Sequence, residues 1–167
     1  MGGSRVGKDS SRVRTYGTYD ELVAHFGVAE AALVNRPEEQ ALLRRLSHET
    51  FLAMSELATP PAAKPPLHRL VTRHVERLEL DIDRLSRGVE PLHSFVLPRG
   101  GAGGAELHVA RAVARRAERE LWTLHREEPQ RHEVLQWANR LSSLLFALAL
   151  SVNRTAGFTE LAPDYSV

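Results

Sequence analysis

The 167-residue sequence predicts an all-α protein, a single five-helix up-and-down bundle. Three observations carry that expectation. Five stretches repeat apolar residues at helical spacing, proline or glycine punctuates the connections between them, and no run alternates apolar with polar residues long enough to make a strand. One domain spanning 1–167 suits a chain of this length, which can bury a substantial core.

Residues 1–15 are rich in Gly, Ser, Lys and Arg without any period, and read as a basic loop, either folded around a ligand or an ordinary free terminus. The first helix is expected over 18–33. Thr18 and Glu21 stand in the relation of a capping box, and Leu22, Phe26, Ala29 and Leu33 share a face. Asp20 falls in its first turn, where a carboxylate suits the positive end of the helix dipole. A second helix over 37–58 opens on Pro37, Glu38 and Glu39 and lines up Leu42, Leu43, Leu46, Thr50, Ala53, Met54 and Leu57. The TPPAAKPP segment at 59–66 stops it and stiffens the connection. A third helix is expected over 67–87, with Leu70, Val71, Val75, Leu78, Ile82 and Leu85 as its stripe and Gly88 as its stop. The connection over 90–104 holds Phe95-Val96-Leu97-Pro98 and then four glycines. These let backbone amides approach an anion closely, or make a plain flexible linker.

The fourth helix, over 105–125, is the chemically informative one. Ala110, Val113, Ala114, Ala117 and Leu121 form its buried stripe, and beside it Arg111, Arg115 and Arg119 rise in one column. Like charges four apart repel by roughly 0.2–0.5 kcal/mol unless an anion intervenes. The column reads either as a solvated face laced with ion pairs, with Glu118 and Glu120 nearby, or as a site for phosphate or carboxylate. The last helix, over 130–154, has the strongest apolar face, and its second half is apolar nearly all round, as in a central helix or one buried against another subunit. Asn139 interrupts it, read first as a buried hydrogen-bonding group. The bundle thus covers 18–155, with a tail over 156–167.

Composition narrows the chemistry. A net charge of +1 gives no global field for nucleic acid, and the absence of cysteine excludes disulfides, thiolate metal sites and a cysteine nucleophile. The longest apolar run is far below the roughly 20 residues of a membrane helix, so a soluble, cytoplasmic protein with no membrane partner is expected. The eight histidines form no H-x-x-x-H pair, and no phosphate-binding loop or nucleophile elbow is present. What remains is arginine, glycine and a basic N-terminus, which suit charge stabilisation of a polyphosphate.

Several blocks, in order along nearly the whole chain, carry a resemblance. They are Gly2-Gly3-Ser4-Arg5-Val6-x-Lys8, Tyr16-Gly17-Thr18-x-Asp20-Glu21-Leu22, Phe95-Val96-Leu97-Pro98, the segment from His108 through Arg111 and Arg115 to Arg119, and Asn139-Arg140-Leu141-Ser142. Together they resemble the PduO-type ATP:cob(I)alamin adenosyltransferases. The resemblance implies a homotrimer with active sites between subunits, in which Co(I) of reduced cobalamin attacks the ribose C5' of ATP and triphosphate leaves. It implies ATP, Mg2+ and cobalamin as ligands, and an adenosylcobalamin-dependent enzyme or a cobalamin reductase as partner. By motif, Arg115, Glu118 and Asn139 fall on ATP-site positions, with Gly3, Arg5 and Lys8 in the phosphate-wrapping loop. Asp20 and Arg111 match a salt bridge across the subunit interface near the active site. Phe95 matches the aromatic that covers the lower face of the corrin and displaces the axial base. The sequence departs from the pattern at Val23, Arg99 and Ser143, and the T-G-D-x-G-x-T segment usual ahead of Gly-Gly-x-Arg-Val is missing, with Met1 before Gly2. Either the coding start stands late or trimmed, or the alternative holds, a weakly active or non-catalytic corrinoid-binding or delivery homologue that has lost part of its ATP loop.

Overall fold

The computed structural model describes residues 6–87 and 92–166. Gly3, Arg5 and Gly88 lie outside them. Five helices follow in order: α1 (Ser11–Ala32), α2 (Pro37–Leu57), α3 (Thr72–Ser86), α4 (Gly104–Glu127) and α5 (His132–Thr155), with no strand among the described residues. Neighbours pack α2 on α1, α1 on α4, α4 on α5 and α5 on α3. The apolar stripes meet in one core, and α5 lies at its centre: Leu141, Leu144, Leu145, Leu148 and Val152 are all buried.

Two helix starts differ from expectation, each for a local reason. α1 begins at Ser11 rather than Thr18, because Ser10 is the cap and its Oγ accepts from the Val13 N–H. Thr18 sits inside the helix, its hydroxyl donating to the Arg14 carbonyl at 2.8 Å, so T-x-x-E is no capping box here. The last third of the expected basic loop, residues 11–15, is consequently helical. Within it Arg12 is buried, donating to the carbonyls of Leu57 and Thr59 and pairing with Glu128, which ties the ends of α2 and α4 to α1. α3 begins at Thr72 rather than 67. The preceding segment is held by other partners: the Leu70 N–H donates to Glu56 at 2.7 Å, and the Leu70 carbonyl accepts from Arg131 at 3.1 Å. Val71, expected in the stripe, is exposed.

Packing accounts for three of the four glycines in the connection, Gly101 having open space around it. Gly103 has φ +87° at the start of α4, and a Cβ there would strike Leu33. A Cβ on Gly100 or Gly104 would run into the Asn153 side chain. Asn153 is buried, and its Nδ2 donates to the Arg99 carbonyl at 2.9 Å and to Glu160 at 2.8 Å, latching the loop and the C-terminal tail to α5.

Candidate active site

The α4 stripe predicted from spacing is buried throughout, and this fixes where the arginine column stands. Its three members have different surroundings. The Arg111 guanidinium is half-buried 5.2 Å from the Phe146 ring centroid, and its Nε has no hydrogen-bond partner. Burial first, and the charge of Arg115 second, pull its pKa below the ordinary guanidinium value. Arg115 is exposed, and its side chain makes no ion pair or hydrogen bond among the described residues. Arg119 donates to the Arg115 carbonyl at 3.2 Å. The expected ion pairs along α4 go elsewhere: Arg116 pairs with Glu21 of α1, and Glu120 with Arg14 at 3.5 Å.

Glu118 and Asn139 are brought together. The Asn139 Nδ2 donates to Glu118 Oε1 at 2.9 Å, one turn along α4 from Arg115. Asn139 is exposed, which overturns its reading as a buried core group. Below this pair Tyr19 is buried with an unpartnered hydroxyl, its ring 6.3 Å from Trp137. Burial and then the Glu118 charge push its pKa far up, so it stays a neutral phenol.

Asp20 is exposed on α1 and pairs with nothing among the described residues, so Asp20 and Arg111 are not bonded within one chain. Lys8 is exposed in the turn before α1, also without a partner. Phe95 is 82% exposed and lines a cavity of about 440 Å³ with Leu92 and with Pro163 and Tyr165 of the tail. The tail is held there by the Leu97 N–H donating to the Leu161 carbonyl at 2.8 Å.

Composition gave no warning of the polar cluster around His108. Only 2% exposed, its ring lies 6.1 Å from Phe146, and neither ring nitrogen has a partner. Burial first and Arg111 second lower its pKa, against an opposing pull from Glu160. The imidazole is therefore neutral at pH 7. Arg111 Nε, Asn153 Oδ1 and Glu160 Oε2 are likewise buried and unpartnered. The one available signal was spacing, since His108, Arg111 and Arg115 fall at i, i+3 and i+7 of the same helix.

Among the described residues no group of three His, Asp or Glu side chains could hold a metal, and no helix is long and apolar enough to cross a membrane. Fold and site define a helical bundle presenting a free arginine beside a bonded carboxylate–amide pair, an arrangement for holding an anionic ligand rather than for attack by a side-chain nucleophile. The family model for cobalamin adenosyltransferase matches residues 1–152, and the chain belongs to that family. It is 37% identical to a corrinoid adenosyltransferase of Bacillus subtilis, over 98% of this chain and 86% of that one. It is 39% identical to the corrinoid adenosyltransferase PduO of Salmonella typhimurium, over 98% of this chain and 49% of the relative. The chain thus spans about half the length of the PduO relatives, the one from Citrobacter freundii included. Among solved structures it is similar to a Lactobacillus reuteri PduO-type ATP:corrinoid adenosyltransferase. A phenylalanine-to-alanine variant complexed with cobalamin and ATP superposes with a TM-score of 0.86 at 31% identity, covering 95% of this chain and 88% of that one. An arginine-to-lysine variant complexed with ATP gives 0.88 at 30% identity, covering 97% and 92%.

Proposed function

We propose that this protein transfers the 5'-deoxyadenosyl group of ATP to the cobalt of cob(I)alamin, giving adenosylcobalamin and triphosphate. The observation that carries the reading is Arg115, an exposed guanidinium with no partner among the described residues, next to the Glu118–Asn139 pair. The Co(I) electron pair forms the bond to C5', the C5'–O bond breaks, and its electrons leave with triphosphate. No protein nucleophile is required. Arg115 meets the charge that grows on the departing phosphates, and Glu118 with Asn139 orients the nucleotide. Lys8, with Gly3 and Arg5, adds to the phosphate grip. Mg2+ arrives with ATP, held chiefly by phosphate oxygens, with Glu118 the carboxylate of the site able to join them.

Phe95, exposed at its cavity, takes the lower face of the corrin and keeps the axial base away. Without that donor the acceptor orbital falls in energy and Co(II) is more easily reduced to Co(I). The spacing between the phenylalanine and the arginine altered in the two variants of the Lactobacillus reuteri protein equals that between Phe95 and Arg115, which supports both assignments. Asp20 and Arg111, unpaired with each other within one chain, pair across the interface of a homotrimer. We place the protein in the cytoplasm, with an adenosylcobalamin-dependent enzyme or a cobalamin reductase as its partner. The test is conversion of chemically reduced cobalamin with ATP and Mg2+, followed by the visible spectrum, together with calorimetry of ATP binding. Adenosylcobalamin formation with saturable ATP binding is expected. Cobalamin binding without ATP binding or turnover would replace the enzyme with a corrinoid carrier.

A further inference from the structure

α2 and α3 carry none of the candidate site residues. α2 packs on α1 and α3 on α5, and the two face each other through ion pairs, Arg45 to Asp81 and Arg84 to Glu38, rather than through a close apolar seam. Between them lies an open groove of about 1050 Å³, lined by Arg44, Arg45, His48 and Phe51 of α2 and by Arg73 and Arg77 of α3.

Its charges are not all spent. Arg44 is paired with Glu30 at 2.7 Å and Arg45 with Glu49 at 2.6 Å. Arg73 and Arg77, one turn apart and both exposed, have no ion pair or hydrogen bond among the described residues. Two like charges in that relation repel unless an anion lies between them. The α3 residues that line the groove are Arg73, His74 and Arg77, with no carboxylate among them. The floor is apolar: Phe51 is 55% exposed, and Leu52 beside it is half-buried.

A single phosphate is far too small for this space and makes no use of an apolar floor. A basic rim around an exposed aromatic fits a helix with one apolar face and acidic flanks. We propose that the α2–α3 groove docks an acidic amphipathic segment of a partner protein, with its apolar face on Phe51 and Leu52 and its carboxylates on Arg73 and Arg77. Such a segment fills the gap that α2 and α3 leave between them, and leaves the α4 site open for substrates.

The probe is a fluorescein-labelled helical peptide with leucines on one face and glutamates on its flanks, titrated into the full chain and followed by anisotropy. Saturable micromolar binding is expected, weakening with salt, and falling about tenfold in Arg73→Glu/Arg77→Glu and severalfold in Phe51→Ala. Arg73→Gln/Arg77→Gln gives an intermediate loss. Adenosyl transfer and circular dichroism stay as in the parent protein. No saturable binding, or equal binding of a scrambled peptide of the same composition, overturns the proposal. Displacement of the peptide by millimolar tripolyphosphate at matched ionic strength assigns the groove to small polyanions instead. A change of oligomeric mass in Arg73→Glu/Arg77→Glu, read by sedimentation, assigns it to a second copy of this chain.

Discussion

Arg115→Ala separates ligand chemistry from architecture. The Arg115 side chain is exposed and bonds to nothing among the described residues, its carbonyl alone being used, by Arg119. Truncation removes no buried packing and places a better helix former in α4. It also relieves repulsion from Arg111, worth about 0.2–0.5 kcal/mol for charges one turn apart. Stability should therefore change by less than about 0.5 kcal/mol, a melting shift of about 2 °C or less in a domain of this size. Catalysis should respond quite differently. Losing one preorganised donor to a developing anion typically costs about 2.7–4 kcal/mol, or 10²–10³ in kcat. Initial rates of adenosylcobalamin formation at saturating cob(I)alamin and varied ATP separate kcat from KM, and Arg115→Lys, which keeps the charge but loses the two-pronged fork, should lie between the extremes. Turnover within threefold of the parent protein, or a variant that no longer folds or assembles, would refute the anion-site argument.

Other positions test other parts of the structure. Gly104→Ala drives a Cβ into the latched Asn153 side chain and should cost about 1–3 kcal/mol, read as a lowered urea midpoint. Tyr19→Phe removes a buried hydroxyl that has no partner and should be neutral or stabilising by up to about 1 kcal/mol in the same assay. For His108, the folded pKa lies below the unfolded value of about 6.5, so the unfolded chain binds more protons there. Its contribution is complete above that pH and declines as pH falls through it toward the folded pKa; His108→Gln should flatten that part of the stability profile between pH 7 and 5. If the proposed homotrimer forms, Arg111→Ala should shift it toward smaller species in sedimentation and lower activity with it, because it leaves Asp20 without its proposed partner across the subunit contact.

How far the fold could be read from the chain follows from which forces are periodic. Burial is periodic, so a stripe is legible on each of the five helices and gives their number, with Val71 the α3 member that lies exposed. Capping is local but ambiguous. Thr18 with Glu21 reads as a start, and only the packed chain shows Ser10 capping while Thr18 bonds back inside the helix. Partners distant in sequence leave no local trace, and so the segment before α3 was read as helix although Glu56 and Arg131 hold it otherwise.

The arginine column shows the same division within the site. Spacing placed Arg111, Arg115 and Arg119 on one edge of α4 and could go no further, because what distinguishes them comes from elsewhere. Phe146 on α5 takes Arg111 out of solvent, and Arg119 folds back onto the Arg115 carbonyl. Arg115 alone of the three keeps a guanidinium unengaged among the described residues, and the neighbouring Glu118 is bonded to Asn139 of α5. Three residues identical in type and period thus divide into a cation held at an aromatic face, a cation free for a ligand and a cation bonded to its own helix. The burial of His108 beside them follows from the same convergence: the start of α4, the end of α5 and the tail at Glu160 close over one polar cluster whose unpartnered atoms no single helix pattern could foretell.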